Sequence, residues 1–323
     1  MNSITDAFGQ IQGWLFERAV QPVLFFLGLT HYAEIGFDAI GAAMLGISQI
    51  ALLYLFLRPL EASFPAEQWR DRRSVGVDVI YTWLHRIGLL PLLFFLLLGP
   101  VQDGIQGWLR LHDIIPKNID DYFPSLFAHP LIVFLIYFLM LDLADYWRHR
   151  LQHRFGWWWA LHSLHHSQRQ MTFWTDDRNH LLDDVLADAW FAIVALLIGV
   201  SPNQFVWIVI ISKMLESFSH ANVRIGFGYV GERLLVSPRF HRVHHAIGLG
   251  HEGRALGVNF SKTFSIWDVL FRTADLRSTL SPTGVRDQLS GRDYGAGFWR
   301  QQWLGLLRLG AAWNPSRTGQ ASH

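Results

Sequence analysis

Residues 142–153 read DLADYWRHRLQH, residues 157–167 read WWWALHSLHHS and residues 176–180 read DDRNH. The first stretch sets His149 and His153 four apart, the second makes an H-x-x-H-H of His162, His165 and His166, and the third adds His180. A single His220 and a second H-x-x-H-H, His241, His244 and His245, follow later in the chain. Residues three and four apart share a helix face, so each spacing turns its imidazoles toward one point. A lone histidine is ordinarily a hydrogen-bonded structural residue. Spaced sets beside the end of an apolar segment form the pattern of a metal site.

The ligand count bears on what such a site holds. A structural zinc takes four ligands and a catalytic zinc three plus water, whereas eight to ten imidazoles suffice for two ions with open positions. Imidazole suits zinc, copper, iron and nickel alike, so ligand type does not choose among them. The chain has no cysteine, which removes thiolate zinc sites, iron–sulfur clusters, disulfides and cysteine nucleophiles together.

Across 323 residues, 51% are apolar and 16% charged, against about 25% charged in soluble domains. The missing charge points to a membrane protein. A net charge of +1 and the absence of any nucleic-acid motif argue against a nucleic-acid partner. Residues 1–13 lack the basic start and small-residue cleavage site of a signal peptide, so insertion is expected to rely on internal apolar segments.

Residues 14–29 carry Glu17, Arg18 and Pro22 and read as an interfacial or re-entrant helix, or a short first span. Spans are expected over 40–57, over 77–101 despite His85 and Arg86, and over 130–142, the last continuing as a helix through His153. Residues 185–200 and the run to 214, joined by Ser201-Pro202-Asn203, read as a helical hairpin that crosses and returns. Arg70, Arg72 and Arg73, and then Arg148, Arg150 and Arg154, mark the cytoplasmic side. Residues 103–128 form a polar outer connection, and 223–273 a basic cytoplasmic cap. Residues 298–309 have Trp299, Trp303, Leu306 and Leu307 at helical spacing, which fits a helix in the membrane interface or one packed on the cap. The expected divisions are 1–39, 40–276 and 277–323, the last ending in a frayed tail.

Carboxylates stand near the histidines. Asp142 and Asp145 precede His149 by seven and four residues, Glu216 precedes His220 by four, and Asp188 lies inside an apolar run. Each is a candidate to accept the far ring N–H of a ligand and fix its orientation. Asp183 and Asp184 flank His180, and Asp176 and Asp177 read equally well as a solvated loop.

At these residues the chain resembles the fatty acid hydroxylase and sterol desaturase superfamily of integral-membrane di-iron enzymes, over roughly 54–276. His149/His153, His162/His165/His166 and His241/His244/His245 match its three histidine boxes. Arg178-Asn179-His180 stands where many members have Arg-x-His-Pro, and Ser219 to Val223 resembles the family's His-x-Asn segment. Asn259-Phe260-Ser261 and Ser265 to Phe271 resemble its Asn-Tyr-Gly and Ser-x-Trp-Asp-x-Leu-Phe stretch. Leu181 replaces the proline after His180, Ser261 replaces glycine, and His220 stands alone where some members have a histidine pair.

The resemblance implies an all-α, multi-span membrane bundle with a cytoplasmic histidine-rich helical cap. It implies two irons held by His149, His153, His162, His165, His166, His180, His220, His241, His244 and His245. Imidazole sites prefer zinc over iron(II) by intrinsic affinity, so zinc is the expected substitute in purified protein. The resemblance also implies O2 as co-substrate and hydroxylation of an unactivated C–H bond of a bilayer lipid or sterol-like substrate. Desaturation by the same site is the alternative. Because the chain has no flavin, haem or dinucleotide motif, electrons are expected from an external ferredoxin or cytochrome type donor with its reductase. A zinc hydrolase and a metal-binding transporter or sensor are the competing classes; the former needs fewer histidines, and the latter needs ligands strung through the spans.

Overall fold

The computed structural model describes residues 2–114, 119–123, 125, 129–253, 255–277 and 280–314. The tail expected at 315–323, with His323, and part of the 103–128 connection lie outside them. The described residues form helices and loops. Their only strand-like pairings are two isolated bridges, Pro65 with Val223 and Ala246 with Thr283.

In chain order the helices are α1 (Asn2–Leu15), α2 (Gln21–Phe26), α3 (Ala33–Ser63), α4 (Arg72–Arg86), α5 (Leu89–Leu111), α6 (Ile119–Tyr122) and α7 (Pro130–Arg154). They continue as α8 (Gly156–His166), α9 (Leu181–Ile198), α10 (Pro202–His220), α11 (Gly228–Gly231), α12 (Pro238–His244), α13 (Ile266–Leu270) and α14 (Phe298–Trp313). Two of the described helical segments are long and apolar enough to cross a bilayer, Thr30–Ser63 with mean hydropathy 2.0 and Pro130–Arg154 with 1.6.

The run at 77–101 is not one helix. Arg86 ends α4, Gly88 adopts φ +81°, and α5 starts at Leu89. A glycine in the left-handed region stops a helix cheaply. The break also turns the Arg86 guanidinium inward, where it pairs with Asp176 at 2.9 Å and Asp177 at 3.1 Å and donates to Gln49 and Ser217. Asp176 and Asp177 are therefore buried ion-pair partners and not a solvated loop. Asp78 closes the same region with a 2.7 Å bond from Arg178.

Residues 14–29 continue α1 through a wide π turn at Phe16–Val20 into α2, and the Gln12 side chain donates to the Phe37 carbonyl on α3. The expected hairpin is present as α9 and α10. Gly199 at φ +69° ends the first arm, and Ser201 caps the second just before Pro202. One apolar cluster joins Ile50, Leu53 and Leu57 of α3 to Val75, Phe173, Trp174 and Val223. Another joins Val133, Tyr137, Phe138 and Leu141 of α7 to Ile208 of α10. Between them the histidine-bearing ends of α7, α8, α10 and α12 converge.

Helix α14 packs on α8 and α4 with an inverted amphipathic pattern. Gln301, Gln302, Gly305 and Arg308 are buried, while Trp299, Trp303, Leu306, Leu307 and Trp313 are exposed. Arg148, read above as a topology marker, and two arginines of the 223–273 segment have ion-pair partners. Arg148 is buried against Asp145, Arg242 against Glu67, and Arg239 pairs with Glu232.

Helices α3 and α4 approach most closely at Gly46, where an added Cβ would overlap the Arg86 carbonyl. Backbone cannot yield as a side-chain tip can, so Gly46→Ala is expected to destabilise the fold by about 3 kcal/mol. Gly76→Ala, on the open side of α4, should leave stability unchanged or raise it slightly. Thermal unfolding of both variants in detergent checks the contrast.

Candidate metal centre

Nine imidazoles gather into two groups. His149, His153, His162, His166 and His244 bring one ring nitrogen each within 4.8 Å of one another, and His165, His220, His241 and His245 do the same. All nine are buried. Helix α7 supplies the first pair, one turn apart. Each H-x-x-H-H is divided between the groups, and it is the outer i, i+4 pair that stays together. His162 and His166 go to the first group and His165 to the second, whereas His241 and His245 go to the second and His244 to the first. Near-parallel rings bridge the two groups, with His166 and His245 centroids 4.4 Å apart.

An imidazole that offers one nitrogen to a metal carries its proton on the other, and that N–H needs an acceptor when buried. In the first group the acceptors are built in. His149 Nδ1 lies 2.7 Å from the Phe260 carbonyl, His153 Nδ1 3.1 Å from that of Leu256 and His244 Nδ1 2.7 Å from that of Val258. His162 Nδ1 meets Asp183 Oδ2 at 3.2 Å. These contacts make Nδ1 the donor, and the Nε2 atoms of all five rings are buried without a hydrogen-bond partner among the described residues. Five lone pairs aimed at a common point are what a metal ion requires.

Three of those acceptors are alternate carbonyls of one short turning segment, 256–260. Leu256 and Asn259 hold φ of +57° and +58°, a region that non-glycine residues adopt at a cost. Side chains secure the conformation. Asn259 Nδ2 donates to the Phe240 and Asp275 carbonyls, Asp268 accepts the Phe260 and Ser261 N–H groups, and Asp142 accepts those of Thr263 and Phe264 and the Trp267 indole. The segments that resemble the family's Asn-Tyr-Gly and Trp-Asp stretches thus position ligands through the backbone.

In the second group Nε2 atoms stand 3.2 Å apart for His165 and His220, 3.0 Å for His220 and His241, and 3.2 Å for His241 and His245. Ligand nitrogens about 2.1 Å from one ion are separated by about 3.0–3.4 Å when adjacent, so this spacing also fits a metal. Only His220 Nδ1 has a built acceptor here, the Glu216 carbonyl at 2.8 Å.

Other expected site residues fall elsewhere. His180 joins neither group. Its Nδ1 accepts the Leu182 N–H at the start of α9, and its Nε2 donates to the Gln302 carbonyl of α14. Gly305 makes room for that ring, since an added Cβ would overlap it. Asp145 and Glu216 spend their carboxylates on Arg148, Lys262 and Lys213. Asp142 acts on the 263–267 loop, and among the described residues Asp188 makes no hydrogen bond or ion pair with a clustered imidazole. Asp183 is the carboxylate that reaches a ligand, and it also accepts from Gln152 and from Trp158 at 2.7 Å; its place four residues before no histidine hid that role. His251, outside every spaced motif, stacks on Trp159 with centroids 3.5 Å apart and lies 5.6 Å from His153. Trp158 and Trp174, near the ligands in sequence, are buried and packed.

Burial holds His165, His166, His241 and His245 well below the ordinary imidazole range, helped by repulsion among neighbouring rings, and it lowers His244 to about 3. Neutral rings are the form that binds metal. In the unfolded chain these rings take up protons below about pH 6.5, while the folded chain resists until far lower. Metal-free protein should therefore lose stability steadily as pH falls from about 6.5 toward 3. Melting of chelator-treated protein at pH 8, 7, 6 and 5 tests this, and a flat profile would contradict it. Asp183→Ala, which strands the His162 and Trp158 N–H groups, is expected to weaken metal retention about 10–100-fold, measured by competition with a chelator.

The family described as fatty acid hydroxylase matches residues 134–273. An ornithine lipid hydroxylase of Rhizobium tropici is 31% identical over 135 residues, 42% of this chain and 39% of the relative. A Delta(7)-sterol 5(6)-desaturase of Gibberella zeae is 25% identical over 205 residues, 64% of this chain and 59% of the relative. The alkylglycerol monooxygenase of Homo sapiens is 28% identical over 136 residues, 42% and 29% of the two chains. The chain thus spans less than two thirds of each of these relatives. No solved structure matches it. The family match encloses all nine clustered imidazoles and the carbonyl segment that orients three of them, so the part of the chain that carries the candidate metal centre is the part that resembles a fatty acid hydroxylase domain.

Proposed function

We propose that this chain is a membrane-bound, two-iron oxygenase that hydroxylates an unactivated C–H bond of a bilayer lipid. The observation that carries the reading is the pair of buried imidazole groups, nine neutral nitrogen ligands in all, at the ends of apolar helices. A hydrolytic zinc needs three ligands and a water, far fewer than are assembled here. A transporter needs ligands along its spans, and these gather at helix ends. The names of the relatives, two lipid oxygenases and a sterol desaturase, support the same class.

The overall reaction is R–H + O2 + 2 electrons + 2 protons → R–OH + H2O. The irons, when bound, would supply O2 activation. The chain's own contribution is geometric and dielectric. Carbonyls 256, 258 and 260, Asp183 and the Glu216 carbonyl hold the rings, while Phe260 and the Trp159–His251 stack cover the first group and exclude water. Electrons come from a separate donor of ferredoxin or cytochrome type.

Exposed apolar side chains support a bilayer setting. Leu55 and Phe56 of α3, Leu97 of α5, Leu131 of α7 and Leu197 of α9 are each exposed, and bands of this kind face lipid or a partner. We read α3, α7 and the α9–α10 hairpin as entering the membrane, the histidine ends as cytoplasmic, and the exposed face of α14 as lying in the interface. Desaturation is the second reading, favoured by the sterol desaturase relative, whose match covers more of this chain than the other two. It consumes the same O2 and electrons but removes a second hydrogen.

Metal analysis with oxygen uptake in membranes, supplied with a reductant and compared with a His165→Ala/His244→Ala variant, tests the proposal. Two irons per chain and lipid-dependent uptake, both lost in the variant, are expected. Tightly held zinc with no uptake from any donor would move the assignment to hydrolysis.

A further inference from the structure

The two imidazole groups are built to different standards. The first draws two rings from α7, two from α8 and one from α12. The second mirrors it, with His241 from α12 and His245 from its C-cap, one ring from α8 and one from α10. On α7 the contributing pair is His149 and His153. The corresponding pair on α10 would be residues 216 and 220, and residue 216 is a glutamate whose carboxylate is committed to Lys213 at 3.3 Å and to Lys262. The second group therefore has four rings where the first has five.

Outer support differs in the same direction. Four of the five rings in the first group donate Nδ1–H to a fixed carbonyl or carboxylate. In the second, His220 alone does, and the buried Nδ1 atoms of His165, His241 and His245 have no hydrogen-bond partner among the described residues. Such outer contacts are each worth about 10–100-fold in metal affinity. Charge adds to the contrast, because Asp183 brings a carboxylate to the first group, whereas Glu216, beside the second, is matched by two ammonium groups.

We infer that the two metal positions are inequivalent. The five-imidazole position is a high-affinity site retained through purification, and the four-imidazole position is an exchangeable site, at least about 100-fold weaker, whose open coordination positions accept a small exogenous ligand such as O2 or azide. The inference rests on the proposal that these groups hold metal, and it is independent of which reaction the metals serve.

The test uses the full chain in nanodiscs, loaded with Co2+ in the absence of O2 and substrate. Competition with a graded chelator series, read as metal per chain and by visible absorption, should remove cobalt in two steps separated by about 100-fold or more in free-metal concentration. Azide should perturb the spectrum of the two-metal form and leave the one-metal form unchanged. His241→Ala should retain one cobalt per chain and lose the azide response. Two ions leaving at one midpoint, or azide acting equally on the one-metal form, would overturn the inequivalence while leaving the oxygenase reading untouched. Failure to bind any cobalt would overturn both. The wild-type titration decides the matter even if the variant does not fold.

Discussion

Each buried imidazole has two nitrogens, and both must be satisfied. Nine such rings in one dry volume would cost the fold heavily if their outer N–H groups were stranded, at about 1–3 kcal/mol for each unpaired group. In the first group the structure meets the demand chiefly with backbone. Carbonyls at 256, 258 and 260 belong to a segment bent by left-handed φ at Leu256 and Asn259, and they meet His153, His244 and His149 on α7 and α12. Much else follows from keeping that segment in register. Asn259, Asp268 and Asp142 each hold its backbone at a different point, and the strained φ at Leu256 and Asn259 is tolerated because those bonds over-determine it.

A second layer of buried polarity holds the helices that carry the rings. Arg86, Asp176, Asp177 and Ser217 tie the end of α4 to the loop after α8 and to α10. Arg178 and Asp78 tie α4 to the same loop about two turns back along the helix. Buried ion pairs are weak evidence for net stability, but breaking one leaves an uncompensated charge, so these contacts fix where the helix ends stop. Helix α14 completes the enclosure. Its polar face grips Ala160, Asn179 and His180 through Arg308 and Gln302, leaving its apolar face outward. An exposed apolar face of this kind suits contact with lipid or with a partner.

The order of the histidines along the chain was sufficient to identify nearly all the clustered residues, because i, i+3 and i, i+4 spacings are local and a helix converts them directly into a shared face. Helical class and the α9–α10 hairpin were legible for the same reason, since apolar runs, Ser201 and Pro202 act within a few residues of themselves. The break at Gly88 was not, because a run of leucine and phenylalanine looks continuous until Arg86 finds Asp176 and Asp177, 90 residues on.

What only the tertiary structure decided was the division of each H-x-x-H-H between two groups, the diversion of His180 to α14, and the identity of the outer acceptors. All three depend on contacts between residues far apart in sequence. A backbone carbonyl has no side-chain signature, so nothing in Leu256, Val258 or Phe260 marks them as partners of His153, His244 and His149. The sequence by itself determined that many imidazoles would meet; packing determined which nitrogen of each faces inward, because that depends on the acceptor waiting on the other side.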